Sequence, residues 1–212
     1  IGGRVILKAS DMHPAPHKAK KKPPLPWKIF VHAHMESLVA TDFFTKRIYT
    51  WRGVFDAYVL VFIHLGSRRV YCSPATLSPN EDWVMQQARN AKMWIEDEGI
   101  SPRFLILDRD TKYTAKFRRF WRDDGVRPIR IPPQSPRANA FAEAYIGRFK
   151  HSCFNHFCCF SLGQIDYIVR VWLEYYHTQR PHQGKDIGNI VLDPHFAPTS
   201  EGAIRRHEQL GG

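Results

Sequence analysis

Three acidic residues stand where burial should exclude them. Asp42 interrupts the apolar stretch Leu38-Val39-Ala40-Thr41-Asp42-Phe43-Phe44 and, on a strand, shares a face with Leu38, Ala40 and Phe44. Asp108 closes Phe104-Leu105-Ile106-Leu107, at the carboxyl end of a short apolar strand, where open α/β sheets place their ligands. Glu143 lies among Asn139, Ala140, Phe141, Ala142 and Ala144, small residues that let a helix approach a sheet closely. A carboxylate inside apolar surroundings is costly unless it is paired or holds a cation. Hard oxygen donors of this kind suit Mg²⁺ or Mn²⁺ rather than Zn²⁺. Three carboxylates can hold two such ions about 3.5–4 Å apart, one activating an attacking oxygen and the other stabilising a leaving one. That is the chemistry of phosphodiester cleavage and transfer.

Each acid also has an ordinary explanation. Asp42 can cap a turn or pair with Arg47, Asp108 can begin the polar loop Arg109-Asp110-Thr111-Lys112, and Glu143 can pair on the surface with Lys150 or Arg148. The coincidence of three is what favours the metal reading.

The elements that would position these groups can be read from periodicity. Ser37–Phe44 and Ala57–His64 read as strands, with a hairpin partner at Arg69–Cys72. A helix is expected over Glu81–Glu98, stopped by Gly99, then a buried strand over Arg103–Leu107. Ala115–Asp124 reads as a helix stopped by Gly125, and Val126–Ile131 as a further strand. Ser135 as N-cap with Pro136 at the first helical position predicts a helix running to about Cys153. Glu143 would then sit in its second turn, with Lys150 seven positions on and on the same face. Leu162–His177 carries Ile165, Ile168, Val169, Trp172, Leu173 and Tyr176 at helical spacing, and Gly163 reads as a turn. Beyond Arg180-Pro181-His182 the chain is expected to be irregular. The order of elements is that of a mixed α/β sheet with helices packed on it.

The chain has 212 residues, 43% of them hydrophobic, with 31 Lys and Arg against 20 Asp and Glu and a net charge of +11. That composition belongs to a globular protein with a core, and excludes collagens, coiled coils and wholly disordered chains. The positive balance favours a polyanionic partner, nucleic acid first. Ala57–Leu65, the longest apolar run, is too short to span a bilayer, so no membrane partner is expected. Four cysteines, two of them adjacent, do not make a disulfide framework and read as reduced intracellular thiols. Residues 1–36 hold five prolines around Lys18, Lys20, Lys21 and Lys22, which predicts an extended basic linker able to lie on a phosphate backbone. The first residue is Ile1, so the chain is expected to begin partway through a longer reading frame.

Four blocks resemble the retroviral-integrase superfamily, specifically the D,D-35-E transposases of bacterial insertion sequences. Ala40-Thr41-Asp42-Phe43-Phe44-Thr45 resembles the first-aspartate strand, and Leu107-Asp108-Arg109-Asp110-Thr111-Lys112-Tyr113 the second. Pro136-Arg137-Ala138-Asn139-Ala140-Phe141-Ala142-Glu143 resembles the glutamate helix, with Lys150 matching a basic residue seven positions later. Tyr175-Tyr176-His177 through Arg180-Pro181-His182-Gln183-Gly184 resembles the closing motif. The blocks fall in order from Ser37 to Gly184. Asp108 and Glu143 are separated by 34 residues, one fewer than the family's name states. Asp110 stands where many relatives have Gly, and Lys185 where the closing motif often has Leu.

The resemblance implies a ribonuclease-H-like fold, a five-stranded mixed sheet with helices on both faces. It implies an integrase core over 37–184, an irregular tail over 185–212, and over 1–36 the basic Pro-rich linker together with the end, before Pro14, of a missing upstream helix-turn-helix region. Asp42, Asp108 and Glu143 would be the catalytic and metal-binding residues, holding two Mg²⁺ or Mn²⁺ ions. Lys150 and Arg148 would hold DNA phosphate near the metals, with Arg137, Lys112 and the linker lysines Lys20, Lys21 and Lys22 as further DNA contacts. The implied activity is direct transesterification. Water frees a 3′-hydroxyl at an element end, and that hydroxyl attacks target DNA. A homo-oligomer on DNA, in the bacterial cytoplasm at the nucleoid, is expected. A ribonuclease-H-type nuclease and an inactive DNA-binding remnant of a mobile element are the alternatives.

His151, Cys153, His156, Cys158 and Cys159 invite a zinc site, but their spacing fits no paired-ligand pattern, and packing of a helix end is the favoured reading. Trp83, Trp94, Trp121 and Trp172 lie at helical spacings and read as core. Arg180 and His182 can equally reach DNA or cap the preceding helix.

Overall fold

The computed structural model describes residues 27–131, 139–184, 188–197 and 208–210. The sheet is built from β1 (Leu38–Thr50), β2 (Gly53–His64), β3 (Val70–Cys72), β4 (Phe104–Leu107) and β5 (Arg127–Arg130). Its order is β3-β2-β1-β4-β5, with β1, β2 and β3 antiparallel and β1, β4 and β5 parallel. Among the described residues five α-helices accompany it: α1 (Trp27–Ala33), α2 (Glu81–Asp97), α3 (Ala115–Asp123), α4 (Ala140–Ser152) and α5 (Leu162–Thr178). A small hairpin of β6 (His182–Gly184) and β7 (Gly188–Ile190) follows.

Alternation along β1 sorts its side chains into two cores. Leu38, Ala40, Phe44 and Ile48 face a cluster with Tyr145 and Phe149 of α4 and Ile165, Trp172 and Tyr176 of α5. Val39 faces the opposite cluster, with Val84 and Ile95 of α2 and Phe117 and Trp121 of α3. Helices therefore cover both faces, and the architecture is the ribonuclease-H-like α/β sheet expected from the sequence.

Local chemistry sets the helix ends. Asn80, Thr114 and Ser161 each accept a hydrogen bond from the backbone N–H three residues on, starting α2, α3 and α5. Gly99 and Gly125 take φ of +63° and +79° just past α2 and α3, the left-handed conformation that ends a helix. Both were anticipated as stops, whereas Gly163 lies inside the first turn of α5 rather than in a turn.

Other differences have physical causes. Residues 27–33, read as linker, form α1, because Val31 is buried in the cluster on that face and Trp27 and Phe30 pack against it, Phe30 meeting Phe104 of β4 edge-on at 5.2 Å. β1 runs six residues past the expected end and β2 starts four residues early. Polar Thr45-Lys46-Arg47 is carried along by ladder pairing with β2 from Thr45↔Tyr58 to Thr50↔Gly53. The β6–β7 hairpin replaces expected irregular chain, with Gln183 paired to Asn189. The anticipated cap Ser135-Pro136 lies outside the described residues, and the helix is described from Ala140. Among the described residues no helix is long and apolar enough to cross a membrane.

Candidate active site

Strand register brings the two aspartates together. β1 and β4 run parallel with Ala40 opposite Ile106, so the same register carried two residues further sets Asp42 level with Asp108. Asp108 is the first residue beyond β4, at the carboxyl edge of the sheet. Asp42 lies on the Leu38–Ala40–Phe44 face, as the alternation predicted, and that face is the one α4 covers.

Glu143 comes from the first turn of α4, one turn earlier in the helix than expected. The start of α4 is fastened to the aspartate strand. Asn139 Nδ2 donates to the backbone oxygen of Thr41, the residue before Asp42, at 3.1 Å in a buried setting. The carbonyl of Asn139 in turn accepts from Glu143 N–H at 3.0 Å, closing the first helical turn. Ala142 is fully buried beside Glu143, and its small side chain permits this approach. In the sequence Asn139 is simply a neighbour of Glu143; its tethering role has no sequence signature, because it depends on which carbonyl lies opposite.

The electrostatics of the site are those of crowded negative charge. The carboxyl of Asp42 is pushed up to about 6, first by burial and then by the charges of Asp108, Glu143 and Asp110; the Phe43 N–H bond to Oδ1 opposes the rise. Burial also raises Asp108, whose Oδ1 accepts from Asp110 N–H at 2.9 Å. Each aspartate therefore commits one oxygen to the backbone and, among the described residues, leaves the other without a hydrogen bond. Hard, anionic and partly free oxygens fit a divalent cation of the Mg²⁺ type. The three acids do not close into a ligand cluster as they stand, and none is found among the described residues. Glu143 remains exposed at the helix start.

The ordinary partners proposed for these acids are not made. Arg47 faces Asp56 across the hairpin at 3.9 Å instead of meeting Asp42. Among the described residues Glu143 makes no ion pair with Lys150 or Arg148. Asp108 does head the polar loop, as its simpler reading required. Under β1, the buried hydroxyls of Tyr113 and Thr41 lie 3.3 Å apart, tying the loop after Asp108 to the Asp42 strand.

The basic residues divide into three groups. Lys150 is seven residues from Glu143, within about 20° of the same helix face, and half-buried. Arg148 is five residues on, about 140° around the helix. It lines a separate cavity of about 190 Å³ with Arg68, Phe141, Tyr145, Tyr176 and His182, so its expected place beside the acids is not the observed one. Lys112 donates to Asp110 Oδ2 at 2.8 Å and lies 5.1 Å from the Phe43 ring centroid. Arg137, Lys20, Lys21 and Lys22 lie outside the described residues.

The remaining groups are structural. His182 bonds the carbonyl of Tyr176 at 2.9 Å and meets its ring edge-on, and Arg180 N–H donates to Tyr175 O, so both secure the end of α5. Cys153 and Cys159 are buried in the core beside Phe154, which stacks on Phe149 at 4.6 Å. The Cys/His segment thus packs a helix end. Trp121 and Trp172 are core, and Trp83 and Trp94 pack against the α2–α3 cluster.

The same architecture recurs in proteins of known structure. A chain of the simian T-cell lymphotropic virus intasome, solved in complex with PP2A regulatory subunit B56 gamma, superposes with a TM-score of 0.56 at 12% identity, over 82% of this chain and 60% of that one. The catalytic domain of Mos1 mariner transposase gives 0.55 at 12% identity, over 69% and 76%. At these identities the likeness is one of fold. In sequence, residues 124–186 match the integrase core domain family. The insertion element IS476 uncharacterized 39.2 kDa protein of Xanthomonas euvesicatoria is 30% identical over 82 residues, 38% of this chain and 24% of that protein. The insertion element IS407 uncharacterized 31.7 kDa protein of Burkholderia multivorans is 27% identical over 82 residues, 38% of this chain and 30% of that protein. The chain thus spans less than a third of either relative. By fold it resembles integrase and transposase cores, and the relatives that match part of its sequence are insertion-element proteins.

Proposed function

We propose that this chain is the catalytic core of an insertion-element transposase, acting on DNA by direct transesterification. One observation carries the reading. The parallel register of β1 and β4 carries Asp42 level with Asp108, the first residue past β4, and Asn139 fastens the Glu143 helix to the residue before Asp42. Nothing in the core packing requires three uncompensated acids there.

Asp42, Asp108 and Glu143 would together hold one or two Mg²⁺ or Mn²⁺ ions. When bound, such ions supply activation of the attacking oxygen and charge neutralisation at the phosphate. The residues of the chain do the rest. The Asn139–Thr41 bond holds the glutamate helix in register with β1. Lys150, on the Glu143 face, is placed to hold a DNA phosphate. Lys20, Lys21, Lys22 and Arg137 would add non-specific backbone contacts. In the first step water attacks the phosphodiester, leaving a 3′-hydroxyl and a 5′-phosphate. In the second, that hydroxyl attacks a target phosphorus and displaces the target strand's 3′-oxygen. A homo-oligomer holding two DNA ends, at the bacterial nucleoid, completes the proposal.

The test is nicking of supercoiled plasmid in Mn²⁺ by the chain and its Glu143→Gln variant. Nicking abolished by the substitution supports the assignment. Equal nicking by both proteins refutes it. Strand joining then separates a transposase from a nuclease, and no joining under any condition would favour the ribonuclease-H-type alternative.

A further inference from the structure

Past Asp42, β1 leaves its parallel partner and continues with β2 as a two-stranded ribbon whose loop is Trp51-Arg52. The loop is held firmly. The Thr50 hydroxyl donates to Gly53 O at 3.0 Å and accepts from Arg52 N–H at 3.2 Å. The β1 side of the ribbon is anchored to the body along its length, through Lys46 Nζ to Phe154 O at 2.6 Å and, next to the loop, Tyr49 N–H to Cys159 O at 2.9 Å.

On this rigid support the tip exposes aromatic surface. Trp51 is 88% exposed, and Tyr49, Val54 and Phe55 around it are exposed as well. The Arg52 guanidinium lies 4.5 Å from the Trp51 ring centroid, which leaves the other indole face to solvent. Lys46, Arg47 and Arg52 give the ribbon three cations against the single carboxylate of Asp56. An indole with an open face and a guanidinium beside it can take a nucleobase by stacking and the adjoining phosphate by charge. Trp51, Arg52, Val54 and Phe55 belong to neither core cluster.

We infer that the β1–β2 tip is a DNA-binding element, with Trp51 stacking on an unpaired base and Arg52 contacting its phosphate. The inference rests on the transposase reading above. Along the strand, the tip stands about 30 Å from Asp42, at roughly 3.4 Å per residue. That is a reach of some nine base pairs of duplex from the acids, so the element would grip DNA well away from the reacting phosphate. A protein partner is less suited to a patch this small and this basic.

Fluorescence anisotropy of the full chain tests it, with a blunt duplex, the same duplex with one unpaired end, and a single strand. Trp51→Ala is expected to weaken binding to the unpaired-end and single-stranded probes about tenfold and to change blunt-duplex binding little. Trp51→Phe should restore most of the affinity. Arg52→Ala should lower the slope of log affinity against log salt by about one, which Trp51→Ala should leave unchanged. Sedimentation and Glu143-dependent plasmid nicking are measured alongside. Equal affinity of wild type and Trp51→Ala for every probe, with nicking intact, overturns the inference alone. Loss of self-association in Trp51→Ala with unchanged DNA binding also overturns it, in favour of an interface between copies. Wild type that neither binds nor nicks DNA overturns the transposase reading and this element with it.

Discussion

Replacing Asp42 by Asn should make the protein more stable, by an amount the site's electrostatics fix. The Asp42 carboxyl sits at about 6 in the fold against an ordinary 3.8. A raised carboxyl means that the folded state holds the proton more tightly than the unfolded chain. The advantage of being protonated is complete below pH 3.8 and is lost as pH rises to about 6. Above that, the ionised group is a constant burden on the fold. Two pH units correspond to about 3 kcal/mol, and partial solvent access reduces this to about 2 kcal/mol. Asparagine keeps the shape and its side-chain oxygen can still accept from Phe43 N–H, so little else changes. At pH 8 in EDTA, Asp42→Asn should therefore unfold in urea with about 2 kcal/mol more stability and melt about 4–8 °C higher. At pH 4 the difference should shrink below about 1 kcal/mol. His177, whose imidazole burial lowers to about 4, costs stability as pH falls below its ordinary 6.5, but it is present in both proteins and cancels. Mg²⁺ should narrow the gap at pH 8 by stabilising wild type alone. A gain that is absent at pH 8, or is equal at pH 4 and pH 8, would refute the picture of crowded charge.

Asn139→Ala should lower stability by about 1–2 kcal/mol by urea unfolding, since it removes a buried hydrogen bond. It should also cut plasmid nicking by ten- to a hundredfold and raise the Mn²⁺ concentration for half-maximal nicking, which a purely structural loss would not do. Phe154→Ala should cost about 3–5 kcal/mol in the same unfolding assay, because Phe154 is fully buried between Phe44 and Phe149. Brief treatment with a thiol reagent at pH 8 should modify Cys158 first, read by peptide mass spectrometry. Cys158 is exposed, whereas burial pushes Cys72 up to about 12 and Cys153 up to about 11.

The parts of the fold written in local pattern were legible. α2 announces itself by a periodic run stopped by Gly99, and Phe104–Leu107 can hardly be anything but a buried strand. Parts that depend on distant partners were not. The outer half of β1 is a strand because β2 lies beside it, and α1 is a helix because Val31 has a core to enter, with Trp27 and Phe30 packed against it. At the site, the acids stood out because an acid among apolar neighbours is expensive wherever it occurs. Lys150 and Arg148 look alike in the sequence, yet the turn of the helix sends Arg148 to a different cavity. Asn139 could not be found from spacing, since its partner is the carbonyl of Thr41, 98 residues away.

That separation bears on how the protein folds. Asp42 meets Asp108 only after β1 and β4 have paired across the intervening β2, β3 and α2, and it meets Glu143 only after α4 has docked. Pairing across so long a stretch of chain is the slow part of building a mixed sheet. Docking of α4, which covers the Asp42 face and brings Glu143 to it, follows that pairing, so the burial that chiefly burdens the Asp42 charge sets in once the barrier has been crossed. Its burden falls on the lifetime of the finished fold and not on the speed of reaching it. Removing the Asp42 charge should slow unfolding and leave the folding rate almost untouched. A cation arriving at the acids would do the same, lengthening the life of the folded protein in the moments when it is ready to act.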